Sequence, residues 1–139
     1  MAEETKSVVL LAKGRLIERE STDIVTLFFK QGLVTQVVRN GREVLHLISE
    51  RETSLPLVIA DIQLSGIDGY ELCQKINALF EPAPRVILVG QNTELDHNWT
   101  LGVGGYFLPC PIDTEKLLKL VYACLSPRRQ SRDFLQQAS

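Results

Sequence analysis

Five short runs of apolar and β-branched residues punctuate the chain: Val8-Val9-Leu10-Leu11, Leu33-Val34-Thr35-Gln36-Val37-Val38, Leu57-Val58-Ile59-Ala60, Val86-Ile87-Leu88-Val89 and Tyr106-Phe107-Leu108. Most are continuous rather than alternating, the pattern of strands buried on both faces. The second is broken by Thr35 and Gln36, as an edge strand would be. Stretches with helical period lie between them. Leu72, Cys73, Ile76, Leu79 and Phe80 fall on one helical stripe, as do Leu117, Leu120, Val121 and Cys124. Val44, Leu45 and Ile48 form a shorter stripe, and Ile24, Leu27 and Phe28 another. Ser21-Thr22-Asp23 offers capping oxygens ahead of the first helix and Asp113 ahead of the last, while Asn40-Gly41 and Ser65-Gly66 signal turns. The segment from Thr93 to Leu101 has little periodicity and is the weakest helix.

The order is strand then helix, five times over. Strands joined by helices run parallel, with right-handed crossovers and helices on both faces. The expected architecture is a doubly wound five-stranded parallel α/β sheet of strand order 2-1-3-4-5. Such sheets build their sites beyond the carboxyl ends of the strands, at Ala12-Lys13, Asp61, Gly90-Gln91 and Pro109-Cys110.

Composition agrees with one ordinary domain: 139 residues, 45% hydrophobic and 23% charged. A net charge of -2 gives no basic field to draw the chain onto nucleic acid or an anionic membrane. No apolar run is long enough to span a bilayer. Met1-Ala2-Glu3-Glu4-Thr5-Lys6 is acidic and polar where a secretory signal is basic and then apolar. Cys73, Cys110 and Cys124 are odd in number and lack zinc spacing, which fits reduced thiols in a cytoplasm. Asn98-Trp99-Thr100 matches a glycosylation sequon, a pattern common by chance. Residues 1–6 are expected to form an N-terminal tail, 7–125 the domain, and 126–139, polar and charged after Pro127, a tail or the start of a linker.

Asp61 ends a strand of pure hydrophobes, and Ile62-Gln63-Leu64-Ser65-Gly66-Ile67-Asp68-Gly69-Tyr70-Glu71-Leu72 leads from it into the third helix. This segment resembles the receiver domain of bacterial response regulators, where a phosphate-accepting Asp ends the third strand and a loop closing in Asp-Gly begins the next helix. Asn40-Gly41-Arg42-Glu43-Val44 is similar to the family's start of the second helix, and Cys110-Pro111-Ile112-Asp113 to its Lys-Pro-Phe-Asp run. The resemblance covers residues 7–125 and implies a flavodoxin-like, CheY-like fold.

It also implies a chemistry. Bringing a polyanion up to a carboxylate costs roughly 1 kcal/mol per charge pair at ~4 Å in water, and about 4 at an effective dielectric near 20. The family offsets this with Mg2+, held by the acceptor Asp and an acidic pair ending the first strand. A Lys ending the fifth strand and a Thr or Ser ending the fourth complete the site. Here those positions read Ala12-Lys13, Cys110 and Gly90, and only the acceptor Asp61 remains. The family's switch aromatic corresponds to Tyr106 or Phe107. The expectation is a degenerate receiver, or pseudo-receiver, that is no enzyme, needs no cofactor and holds no metal (Asp61 being the one candidate ligand). Mg2+ enters only if the domain is a conventional receiver phosphorylated on Asp61 by a histidine kinase.

Lys13 could supply beside Asp61 the positive charge that the metal supplies elsewhere, which requires its ammonium within about 6 Å of the carboxylate. The alternative is a solvated lysine in a loop. Cys110 has no histidine placed beside it by any motif and reads as a chance cysteine. Glu18-Arg19-Glu20 is an exposed charged stretch, in a first connection long enough to let an acid swing toward the site. The implied partners are proteins (a histidine kinase, phosphotransfer or output domain), with homodimerisation through the face of helix 4, strand 5 and helix 5. A nucleotide or flavin binder on the same topology ranks last, because Lys13-Gly14-Arg15-Leu16 is poor in glycines and hydroxyls.

Overall fold

A computed structural model describes residues 8–50 and 56–125, so the tails expected at 1–6 and 126–139 lie outside the described residues. Five strands, β1 (Val8–Ala12), β2 (Val34–Val38), β3 (Leu57–Asp61), β4 (Val86–Gln91) and β5 (Tyr106–Cys110), form one sheet in the order β2-β1-β3-β4-β5. Every pairing is parallel, with Leu11 opposite Ile59 and Asp61 opposite Val89. The helices are α1 (Ser21–Lys30), α2 (Gly41–Ser49), α3 (Gly69–Leu79), α4 (Glu94–Gly102) and α5 (Thr114–Leu125). The expected architecture is the observed one.

Because side chains alternate across a strand, the continuous apolar runs feed two separate cores. Leu10, Ala12, Val58, Ala60, Val86 and Leu88 pack with Val44, Ile48, Leu72, Cys73 and Ile76 of α2 and α3. Val9, Leu11, Ile59, Ile87, Val89 and Leu108 pack on the other face with Ile24, Phe28, Leu117 and Val121 of α1 and α5. The edge strand β2 buries only Val38. The same alternation turns Asp61, one residue past Ala60, toward the α1 side, where the connection from β1 to α1 crosses the strand ends.

One local expectation is corrected. Ser21, Thr22 and Asp23 do not precede α1 but form its first turn, because a 3-10 turn at Glu18–Glu20 leads directly into the helix. The N-cap is Glu20, with no side-chain cap bond, and Ser21 Oγ instead donates to the Glu18 carbonyl. The weakly periodic segment is a regular helix, α4, because the Thr93 hydroxyl accepts from the Asp96 N–H and closes its first turn. Its periodicity is faint because it buries only Thr100. The Asn40, Asp68 and Asp113 side chains each accept from a backbone N–H at the start of the following helix.

Candidate functional site

Asp61 is fully buried at 0% exposure, a charged side chain at the carboxyl end of the central strand. Its Oδ2 accepts from the Leu16 N–H and, at 2.9 Å, from the Ile17 N–H, while Oδ1 accepts from the Gln63 N–H at 2.8 Å. The β1–α1 connection therefore folds over the carboxylate and offers it amides. Gly14 makes this approach feasible, since a Cβ there would lie 2.1 Å from the Gln63 carbonyl oxygen. Ile17, also at 0% exposure, anchors the connection in the α1/α5 core. Burial pushes the Asp61 carboxyl above the ordinary carboxylate range, and the N–H groups of Gln63, Ile17, Leu16 and Gly14 pull it back only in part.

Lys13 is not a solvated loop lysine, and its direct partners are Ser21 and Glu18. Its ammonium donates to Ser21 Oγ at 3.2 Å and lies 3.6 Å from Glu18, and its side chain is only 12% exposed. Among the described residues it makes no hydrogen bond or ion pair with Asp61, whose oxygens are already taken by backbone amides. Ala12 is buried in the core and presents only a methyl group. Glu18 bridges Lys13 and Arg39, the latter at 4.0 Å. Glu20 does swing across, its carboxylate accepting from the Ile112 N–H at 3.3 Å just beyond β5.

At the end of β4, Gly90 stands under crowded space. A Cβ on it would meet the Phe107 ring at 3.0 Å and the Asp96 carboxylate at 3.2 Å. Asp96 reaches back from α4 to accept from the Gln91 N–H at 2.9 Å and from the Tyr70 hydroxyl at 3.1 Å. Burial, reinforced by Asp96, pushes the Tyr70 hydroxyl up to about 12. Of the two candidate aromatics, Phe107 lies against Gly90 and stacks on His97 with centroids 5.1 Å apart, whereas Tyr106 is exposed.

Cys110, half-buried, directs its Sγ at the Leu16 carbonyl 3.6 Å away. Burial, then the negative charges of Glu20 and Asp61, raise its thiol, the opposite of what a nucleophile needs. Neither histidine approaches it: His46 pairs with Glu50 at 3.3 Å and His97 stacks on Phe107. Cys73 and Cys124 are buried thiols, each pushed up to about 11. No described helix is long and apolar enough to cross a membrane.

Sequence reasoning missed the groups that hold Asp61, namely the backbone of Leu16 and Ile17 and the close approach of Gly14. The signal was available in part, because Gly14 and Ile17 are a small and a β-branched apolar residue in a connection where all the others but Leu16 are charged. Asp96 gave no signal, since nothing local tells that its carboxylate turns back toward β4.

Residues 18–122 match the family model of the response regulator receiver domain. Among solved structures, the chain is similar to the signal receiver domain of an HD domain-containing protein from Pseudomonas fluorescens Pf-5, at 21% identity and a TM-score of 0.74 over 96% of this chain and 97% of that one. It is also similar to the signal receiver domain of a signal transduction histidine kinase from Syntrophus aciditrophicus, at 25% identity and a TM-score of 0.72, covering 86% and 89% of the two chains. A third is the receiver domain of the response regulator Ssk1 of Saccharomyces cerevisiae, co-crystallised with the histidine phosphotransfer signaling protein Ypd1, at 22% identity and a TM-score of 0.69 over 82% and 85%.

Proposed function

The chain belongs to the response regulator receiver domain family, and we propose that within two-component signalling it acts as a protein-interaction module independent of phosphorylation. The observation that carries this reading is the state of Asp61. To take a phosphoryl group, a carboxylate oxygen must come within about 3–3.5 Å of the phosphorus with its lone pair free. Here the carboxylate is wholly buried and both oxygens are committed to backbone N–H groups.

Magnesium does not fit the residues around Asp61. The ion takes oxygen ligands, one or two of them carboxylates. Ala12 offers a methyl and Lys13 a competing cation where the acidic pair of the family would stand, and N–H donors point at the remaining carboxylate. Gly90 has no hydroxyl, and Cys110 presents a thiol where a lysine would be needed. Each decade of rate is ~1.4 kcal/mol of barrier, so losing cation, hydroxyl and lysine together removes several decades of phosphotransfer. On this reading the domain is not an enzyme and works in a cytoplasm.

Its partner is a protein: a histidine kinase, a phosphotransfer protein or an output domain. The receiver of Ssk1, in complex with a histidine phosphotransfer protein, gives the kind of pairing meant. The face formed by α4, β5 and α5 exposes Leu95, Trp99, Leu101, Tyr106 and Tyr122, and supports docking of a partner or of a second copy there.

The test is incubation with magnesium and a small phosphodonor such as acetyl phosphate, followed by intact mass. No gain of a phosphoryl mass is expected. An adduct on Asp61, stable or turning over, would establish a conventional receiver instead.

A further inference from the structure

Above the connection that buries Asp61 lies an open cleft of about 660 Å³, between the carboxyl ends of β1, β2 and β3. It is lined by Lys13, Arg15 and Arg39 against a single acid, Glu18, in a chain whose net charge is -2. Asp61 does not line it, being shielded beneath Leu16 and Ile17. The cleft is thus separate from the acceptor carboxylate and of opposite charge to a metal site.

The cations are poorly satisfied. Lys13, its side chain 12% exposed, has one hydroxyl acceptor at 3.2 Å and its carboxylate partner at 3.6 Å. Glu18 stretches between Lys13 at 3.6 Å and Arg39 at 4.0 Å, the latter at the long limit of an ion pair. Among the described residues no acid pairs with Arg15. One carboxylate spread over two cations, with a third beside them, marks a place built for more negative charge than the chain supplies.

We propose that this cleft binds a small oligophosphate anion of pyrophosphate size, held by Lys13, Arg15 and Arg39, with Glu18 pairing with Lys13 and Arg39 when the anion is absent. Two guanidinium forks and a point ammonium suit tetrahedral oxyanions that carry several charges. The volume lies within the roughly 300–1,000 Å³ of small-molecule sites. The lining holds no aromatic ring for a base to stack on, which favours the phosphate chain itself over a nucleotide. Gln63 and Ser65 add neutral hydrogen-bonding groups on the β3 side.

Calorimetric titration of the full chain with sodium pyrophosphate, without magnesium and at constant ionic strength, tests this, with sulfate as the comparison anion. Saturable one-to-one binding is expected, tighter for pyrophosphate than for sulfate. The double variant Arg15→Ala/Arg39→Ala, both sites exposed, should weaken it by about tenfold or more, as loss of charge-assisted bonds does. Glu18→Gln should tighten it, whereas Glu43→Gln, the same change of charge on the exposed side of α2, should leave it unchanged. The proposal is overturned by any one of three results: no saturable binding at millimolar pyrophosphate, equal binding by the arginine double variant, or equal tightening by Glu43→Gln and Glu18→Gln. The outcome does not depend on whether Asp61 accepts a phosphoryl group, which the mass experiment reads separately.

Discussion

Removing the Asp61 carboxylate would strand the N–H groups of Leu16 and Ile17 beneath their own connection, with no other acceptor provided. A buried donor left unpaired costs about 1–3 kcal/mol. Asp61→Ala should therefore lower the unfolding free energy by about 2–4 kcal/mol, read from the urea midpoint at unchanged slope. An exposed acceptor carboxylate would give nothing of the kind, so a neutral result would remove the structural role argued for Asp61. Asp61→Asn keeps an accepting oxygen and should cost much less. The two also part with pH. Burial holds the Asp61 carboxyl above its ordinary range, so the folded chain binds this proton more tightly than the unfolded one. Its contribution to stability is then full below the ordinary aspartate value and is lost as pH rises through the higher folded value. Asp61→Asn has no such proton, so its stability relative to the natural chain should improve across that window, and unfolding curves at a series of pH values will show it.

The connection between β1 and α1 is where element and site become one thing, and it was the least legible part of the sequence. Three residues of 3-10 turn carry no periodicity, so Ser21-Thr22-Asp23 looked like a cap when it is the first turn of α1. The helices that could be read, α1, α2, α3 and α5, are those with an apolar stripe facing the sheet. In α4, Leu95, Trp99 and Leu101 face outward at 55–65% exposure, so hydrophobicity there reports a surface rather than a core. Gly14 is the hinge of the connection's placement. Adding one methyl would put it 2.1 Å from the Gln63 carbonyl oxygen, a backbone atom that cannot step aside. Gly14→Ala should cost about 1–3 kcal/mol, the usual range for overpacking, because the connection must lift off β3. Amide exchange at Leu16 and Ile17 should rise in the same variant. Unchanged protection of those two amides would show that the connection is held some other way.

At the scale of the molecule, the sheet order was legible because five apolar runs alternating with helical stripes leave few ways to cover both faces. The site was legible only as positions. Ala12, Lys13, Gly90 and Cys110 could be placed at the strand ends, but what each touches depends on loops whose path no local pattern encodes. That difference bears on whether the domain can change state at all. A switch needs two arrangements of similar free energy and a ligand that prefers one of them. Gly90 has no hydroxyl to move, and Phe107 already lies where a β4 side chain would stand, pinned between His97 and the Gly90 backbone. Asp96 closes the remaining space by tying α4 to the Gln91 N–H and to Tyr70. On the proposed reading, with the Asp61 carboxylate buried at the other end of this arrangement, magnesium plus a phosphoryl mimic such as beryllium trifluoride has no differential contact to make. The backbone amide spectrum should accordingly stay unchanged on adding both, including at Gln91, Phe107 and the whole of α4. Shifts that spread from Asp61 to α4 and β5 would reveal a second populated arrangement and restore a phosphorylation switch.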